Sequence, residues 1–199
     1  TVFDNGFSDW ASALERVGEQ GATTRTLKLS YRSTEPIMEL ARSIAGGGMV
    51  TQEIQHTRGG EPVEFHAFTE QGELIATLAE VLRSLTLREP RASVALLARH
   101  LEQARNYADA LTEAEVAGVR LVASQDFAFK AGIEVTDVTQ PKGLEFDYVV
   151  LLDVNAVNYP DTLESRHLLH IAATRAAHQL WVTYVGAPSA LLPHTGTGR

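Results

Sequence analysis

The chain has 199 residues, no cysteine and a formal net charge of −8. A composition that is 44% hydrophobic and 21% charged supports a packed core and excludes a disordered chain. The lack of cysteine excludes disulfides and thiolate metal sites, and the acidic balance excludes a broad basic face for nucleic acid. Because no apolar run reaches the roughly 18 residues of a membrane span, we expect a cytoplasmic protein.

The chain begins with Thr1 rather than Met, which we interpret as part of a longer protein. At this length we expect one domain over residues 1–199, with a frayed tail over 186–199. Its first segments predict a capped helix from Ser8 to Gly18 and a strand over 26–30.

A second helix is predicted to begin after Thr34, with apolar residues at helical spacing, and to end at the glycines 46–48. Beyond the loop that follows, period-two and continuous apolar runs predict strands, and 3.6-residue periods predict helices. The predicted strands are 63–68, 93–97, 119–122, 133–138, 148–152 and 181–185, and the helices are 74–85, 101–111 and 163–178. Strands that alternate with helices predict an α/β three-layer sandwich with a mostly parallel sheet.

The loop Lys142-Gly143-Leu144-Glu145-Phe146-Asp147 lies between two of these strands, where α/β sheets place ligand-binding loops. Its Lys142 and Glu145 are suited to contact a phosphate and a ribose hydroxyl, although a lone loop of this kind is usually a polar turn.

Three other features are candidate sites. Tyr31 and Arg32 stand where a strand leads into a helix, and could stack on a base and contact an anion; the alternative is an ordinary surface arginine. Arg175 lies among alanines late in a predicted helix and could face a partner domain; the alternative is a solvated side chain. His167 and His170 share a helix face as zinc ligands do, but no third ligand has suitable spacing, so we expect no metal site.

Taken together and in order, SYRST at 30–34, KGLEFD at 142–147 and RHLLHIAATRA at 166–176 resemble motifs four, five and six of superfamily-one helicases of the UvrD/Rep type. Within that group the chain looks most like the HelD branch, on the SYRST form, on Asp147 after KGLEF and on the ending Leu191-Leu192-Pro193. The resemblance implies the second RecA-like domain of a two-domain ATPase motor, without a phosphate-binding loop of its own.

Carried over by position, the resemblance assigns Tyr31 to stacking on adenine, Arg32 to the γ-phosphate, Glu145 to the ribose and Arg175 to the arginine finger. It also places Lys142 and Gly143 at the nucleotide, in the loop that couples it to the nucleic-acid track. Thr139 and Gln140 fall on that track.

The implied cofactor is ATP, with Mg²⁺ held mainly by a first RecA-like domain, and the implied partners are that domain and single-stranded DNA. Since Walker A and Walker B motifs are missing from this sequence, we expect the isolated domain to be inactive and ATP hydrolysis to belong to the full-length protein. Thr139 stands where the UvrD/Rep pattern has a DNA-contacting His, and His167 and His170 replace the usual Arg and Tyr. These departures keep open a HelD-type alternative, in which the parent binds RNA polymerase and ATP acts as a switch.

Overall fold

The computed structural model describes residues 18, 29–30, 33–46, 55–56 and 58–193. Most of the helix predicted over 8–18, most of the strand predicted over 26–30, the two site residues Tyr31 and Arg32, and residues 194–199 lie outside this part of the chain. In chain order the elements are β1 (Leu29–Ser30), α1 (Glu35–Ala45), β2 (Gln55–His56), β3 (Glu64–Phe68), α2 (Gln71–Arg88), β4 (Ser93–Ala98), α3 (Leu101–Glu113), β5 (Val119–Leu121), β6 (Gly132–Asp137), β7 (Phe146–Leu151), α4 (Leu163–Ala173) and β8 (Ala176–Val185).

Six strands form one sheet in the order β3-β8-β7-β4-β6-β5, and every pair in it is parallel. A separate two-stranded parallel pair joins β1 and β2. The predicted α/β class and parallel sheet are therefore confirmed.

Helices cover both faces of the sheet, because the central strands are apolar on both. In β4, Ala95 and Leu97 face the core that contains α1 and α4, while Val94 and Leu96 face the core that contains α2 and α3. All four are at most 2% exposed. None of the helices in the described ranges is long and apolar enough to cross a lipid bilayer.

The last helix is shorter than its sequence pattern indicates. We predicted a helix over 163–178, but α4 ends at Ala173, and β8 starts at Ala176, five residues before the predicted strand. The alanine-rich stretch favours a helix by propensity, yet pairing of Ala176 with Phe146 of β7 extends the sheet instead. Arg175 consequently lies at a helix-to-strand junction and not within a helix.

The segment after β8 is ordered against the domain as far as it is described. The hydroxyl of Ser189 donates to the Tyr159 carbonyl at 2.6 Å, and Leu191 and Leu192 are buried. The prediction of a frayed tail is thus wrong for residues 186–193, whose two leucines complete the core beneath α1 and α4.

Candidate functional site

The KGLEFD loop crosses the sheet from one end to the other. β6 ends at Asp137, opposite Ala98 at the carboxyl end of β4, and the N–H of Val138 donates to the Ala98 carbonyl at 2.9 Å. Eight residues later Phe146 opens β7 at the amino end of the sheet. The loop therefore connects the carboxyl ends of the strands with their amino ends, which we call the carboxyl edge and the amino edge of the sheet. A segment that spans both is suited to couple two ligands.

Arg175 contacts this loop directly. Its Nη1 donates to the main-chain oxygen of Leu144 at 3.0 Å, and its Nε donates to the oxygen of Ile171 at 3.1 Å. The carbonyl of Arg175 in turn accepts the N–H of Phe146 at 2.9 Å. Two predicted motifs, whose contacting residues are 31 positions apart in sequence, thus meet at the amino ends of β7 and β8.

Glu145 lies next to this contact, between Leu144 and Phe146, and is exposed. Lys142 and Gly143 are also exposed, in a turn closed by the N–H of Leu144 donating to the Pro141 carbonyl at 3.2 Å. Gly143 has a φ of +78°, in the left-handed region that glycine adopts without strain. The structure therefore brings Glu145 and Arg175 to one edge and extends Lys142 and Gly143 from the loop into solvent.

The chain enters α1 at the same end. α1 and α4 run antiparallel, since Arg166 contacts the carbonyl of Ile44 and His170 contacts that of Ala41. Continuing this register puts Thr34, the residue before α1, beside the end of α4 that leads into Arg175. Tyr31 and Arg32 lie outside the described residues, so their positions remain predictions from sequence.

The hydroxyls of Ser33 and Thr34 belong to residues that are at most 2% exposed, and they have no hydrogen-bond partner among the described residues. Buried hydroxyls of this kind are normally satisfied, so we expect those at the start of α1 to bond a polar neighbour. The side chain of Thr34 packs against Gly60, where an added Cβ would clash with it. Ser33 and Thr34 follow the predicted anion-binding Arg32 directly in sequence.

Thr139 and Gln140 lie at the opposite, carboxyl edge. The N–H and hydroxyl of Thr139 both donate to Oδ1 of Asp137, at 2.8 and 2.5 Å. Oε1 of Gln140 accepts the N–H of Gln125 at 3.1 Å. The two residues predicted to contact nucleic acid are thus neighbours on one edge, apart from the edge that holds Glu145 and Arg175.

A buried carboxyl at this edge was missed by sequence reasoning. Asp153 follows β7, is 9% exposed and has a φ of +51°, and its Oδ2 accepts the hydroxyl of Tyr107 at 2.8 Å. Burial raises the pKa of Asp153, against the opposing effect of that hydrogen bond, and burial also raises the pKa of Tyr107. A carboxylate directly after an apolar strand is the signal that could have identified it.

Asp147, the last residue of the KGLEFD motif, joins three strands. Its Oδ2 accepts the N–H and the hydroxyl of Ser93, both at 2.8 Å, and its Oδ1 lies 3.2 Å from Nδ1 of His178. Burial alone would raise the pKa of Asp147, but these hydrogen bonds and the nearby His178 hold it below its usual value. Asp147 therefore fixes the start of β7 to β4 and β8.

His170, one of the two histidines that share a face of α4, contacts the neighbouring helix α1. Nδ1 of His170 lies 2.9 Å from the Ala41 carbonyl, so that ring is directed at a neighbouring helix. Within the described ranges, no group of three or more metal-ligating side chains comes together.

Comparison with known proteins agrees with this arrangement. Residues 132–183, which span β6, the KGLEFD loop, β7, α4 and most of β8, match the family model of the UvrD-like helicase C-terminal domain. The fold is similar to the crystal structure of the C-terminal domain of a possible DNA helicase from Lactobacillus plantarum WCFS1. The two share 25% sequence identity with a TM-score of 0.67, over 83% of this chain and 95% of that one.

A search of curated proteins gives no significant match. These comparisons support a similarity to helicase C-terminal domains of the UvrD-like type, and they give no support to the HelD branch in particular. The chain has the RecA-like fold of a helicase C-terminal domain, and its residues 132–183 match the UvrD-like family of such domains.

Proposed function

We propose that this domain is the second motor domain of an ATP-dependent DNA helicase or translocase. It would complete an ATP site against an N-terminal RecA-like domain of the same protein and couple that site to single-stranded DNA. The hydrogen bond from Arg175 to the Leu144 carbonyl carries the proposal, because it joins the motif-six arginine to the motif-five loop at one edge.

The residues at this edge fit a nucleoside triphosphate. Arg175 is half-buried, keeps its charge at any working pH and has its fork oriented by two carbonyls, as stabilising a transferred phosphoryl group requires. Glu145 is exposed beside it, where a carboxylate can accept hydrogen bonds from a ribose.

Bound ATP would supply the γ-phosphoryl group, whose charge builds in the transition state and is stabilised by positioned cations. Arg175 would orient toward that charge, with Arg32 as a second guanidinium and Tyr31 as the stacking surface for the base. Lys142 and Gly143 belong to the loop that joins this edge to Thr139 and Gln140. Mg²⁺ would be held mainly by the N-terminal domain, since this sequence carries no Walker motifs.

An alternative is an RNA polymerase-binding protein of HelD type, in which ATP acts as a switch. One observation favours it: the N–H and hydroxyl of Thr139 already donate to the carboxylate of Asp137, at the edge predicted to contact DNA. The net charge of −8 also disfavours broad contact with a phosphate backbone.

The test is steady-state ATP hydrolysis by the full-length parent, with and without single-stranded DNA and with and without RNA polymerase. Arg175→Ala should lower turnover by about 10³-fold or more, as loss of an arginine finger does, while Arg105→Ala on the exposed face of α3 serves as the matched control. Stimulation by DNA would support the motor. ATP hydrolysis that does not respond to DNA, together with tight binding to RNA polymerase, would support the switch hypothesis. Normal turnover of Arg175→Ala would contradict both hypotheses.

A further inference from the structure

Two side chains of α4, one turn apart, donate hydrogen bonds to the backbone of α1. Nη1 of Arg166 donates to the Ile44 carbonyl at 3.0 Å, and Nδ1 of His170 lies 2.9 Å from the Ala41 carbonyl. Because a carbonyl oxygen only accepts, Nδ1 of His170 carries the proton. We call Arg166 and His170 together the α4 clamp.

Arg166 is held on its other side as well. Its Nε and Nη2 donate to Oδ1 of Asp161 at 3.0 and 2.7 Å, so the carboxylate orients the guanidinium toward α1. Gly46 leaves room for it: a Cβ at that position would lie 3.2 Å from Nη1 of Arg166. The Ile44 carbonyl belongs to the last turn of α1, where helix carbonyls lack intrahelical partners.

The approach of His170 depends on a small residue. Ala41 is fully buried on the α1 face that meets α4, and a larger side chain there would separate the helices. Two anchoring points a turn apart resist both sliding and rotation of α1, which a single contact would not. Arg166 and His170 are each half-buried, so these bonds are partly shielded from water.

The other ends of both helices lead to the proposed nucleotide edge. α4 is followed directly by Thr174 and Arg175, and α1 is preceded by Ser33 and Thr34. Since the helices are antiparallel, fixing their register fixes the spacing between Arg175 and the start of α1.

We propose that Arg166 and His170 are positioning residues, which set the start of α1 relative to Arg175. This inference rests on the proposed function and goes beyond it, since neither side chain of the clamp is assigned to the nucleotide. It also gives a role to His170, which departs from the tyrosine of the UvrD/Rep pattern.

The first test needs no nucleotide. In the full-length protein, His170→Phe keeps a ring and removes the donor, and Arg166→Met keeps the aliphatic stem and removes three hydrogen bonds. Amide hydrogen exchange of residues 35–45 should rise about tenfold in each variant, with α3 unchanged. His170→Asn, which keeps a donor at a similar position, should restore protection, and Arg105→Met is the control.

Unchanged exchange in α1 would overturn the proposal. A uniform rise across α1, α3 and the sheet would also overturn it, because the clamp would then contribute only to global stability.

The second test is a double-mutant cycle on ATP turnover by the full-length protein. Arg175→Ala should lower turnover about 10³-fold and His170→Phe about tenfold, and the double variant should be no slower than Arg175→Ala alone. A double variant slower by the product of the two effects, about 10⁴-fold, would overturn a role through Arg175. Normal turnover in Arg175→Ala would instead contradict the proposed function, while the exchange experiment would still decide whether the clamp fixes α1.

Discussion

Nη1 of Arg175 donates a 3.0 Å hydrogen bond to the main-chain oxygen of Leu144, so the arginine predicted to act on phosphate also supports the loop beside it. Arg175→Ala should therefore have two separable effects. Loss of the bonds to Leu144 and Ile171 should lower the free energy of unfolding by about 1–2 kcal/mol. Urea unfolding measures that cost.

Arg175→Lys separates charge from geometry. Lysine keeps the positive charge but lacks the fork that reaches both carbonyls, so turnover of the parent should stay at least about tenfold below wild type. Wild-type turnover in the lysine variant would mean that a point charge suffices and that the orientation set by Leu144 and Ile171 is irrelevant.

Substitution of glycine by alanine should change the free energy of unfolding in opposite directions at Gly143 and Gly72. At both positions an added Cβ would have no atom within 4 Å of it, so crowding does not decide the outcome. Gly143 has a φ of +78°, and Gly143→Ala should destabilise the domain by about 1 kcal/mol. Gly72 lies in the first turn of α2 with ordinary φ, and Gly72→Ala should stabilise by about 0.5–1 kcal/mol. Denaturant midpoints measure both effects. A change in the same direction for the two variants would contradict the left-handed backbone conformation of Gly143.

The raised pKa of Asp153 predicts a specific pH dependence of stability. The folded protein holds this proton to a higher pH than the unfolded chain, whose aspartates have a pKa of about 3.9. Stability should therefore fall as pH rises from about 3.9 through the folded pKa and be constant above it.

Asp153→Asn should remove that fall and make the domain more stable than wild type at pH 7. The asparagine oxygen can still accept the Tyr107 hydroxyl, and asparagine tolerates the φ of +51°. Urea unfolding between pH 4 and 8 measures this, with Asp109→Asn on the exposed face of α3 as the control. Parallel curves for wild type and Asp153→Asn would contradict the prediction.

Asp147 should give the opposite dependence of stability on pH. Its pKa is lowered in the folded state, so its contribution is present above the unfolded pKa of about 3.9 and is lost as pH falls through the folded value. Ser93→Ala removes the hydroxyl that donates to the Asp147 carboxylate and accepts the Asp147 N–H at 3.0 Å, but leaves the Ser93 N–H. It should cost about 1 kcal/mol at pH 7 and less near pH 2, where the carboxylate is protonated. Ser84→Ala on α2 is the comparison, and a cost independent of pH would rule out this role for the carboxylate.

Much of the fold could be predicted because its strands are buried on both faces. Runs such as Val94-Ala95-Leu96-Leu97 and Tyr148-Val149-Val150-Leu151 leave little alternative to a central parallel sheet. The end of α4 could not be predicted, since alanines 172, 173, 176 and 177 favour a helix locally and only pairing with β7 reveals the strand.

The candidate site was predictable as motifs but not as geometry. The resemblance to helicase motifs assigned Glu145 and Arg175 to a common ligand, yet nothing in the sequence indicated that Arg175 bonds the backbone of Leu144. Such a contact depends on where two chain segments cross. Asp153 was overlooked for a related reason, because its partner Tyr107 lies on α3, 46 residues earlier.

A substitution of Lys142 tests whether the loop contacts a phosphate of the nucleotide or a phosphate of single-stranded DNA. This lysine is exposed, one residue before Gly143, in the segment that leads to Glu145 at the nucleotide edge. We therefore expect Lys142→Ala to weaken ATP binding by the parent about threefold to tenfold, the effect of one exposed charge near a polyphosphate. The salt dependence of the parent's affinity for single-stranded DNA should not change. A lysine bound to a strand phosphate would instead contribute about 0.7 to the slope of log affinity against log salt concentration.

Titrations of both ligands at several salt concentrations measure the two quantities together. A reduced salt slope with normal ATP affinity would move Lys142 from the nucleotide to the nucleic-acid track, and the functional boundary within the loop would then lie between Lys142 and Glu145.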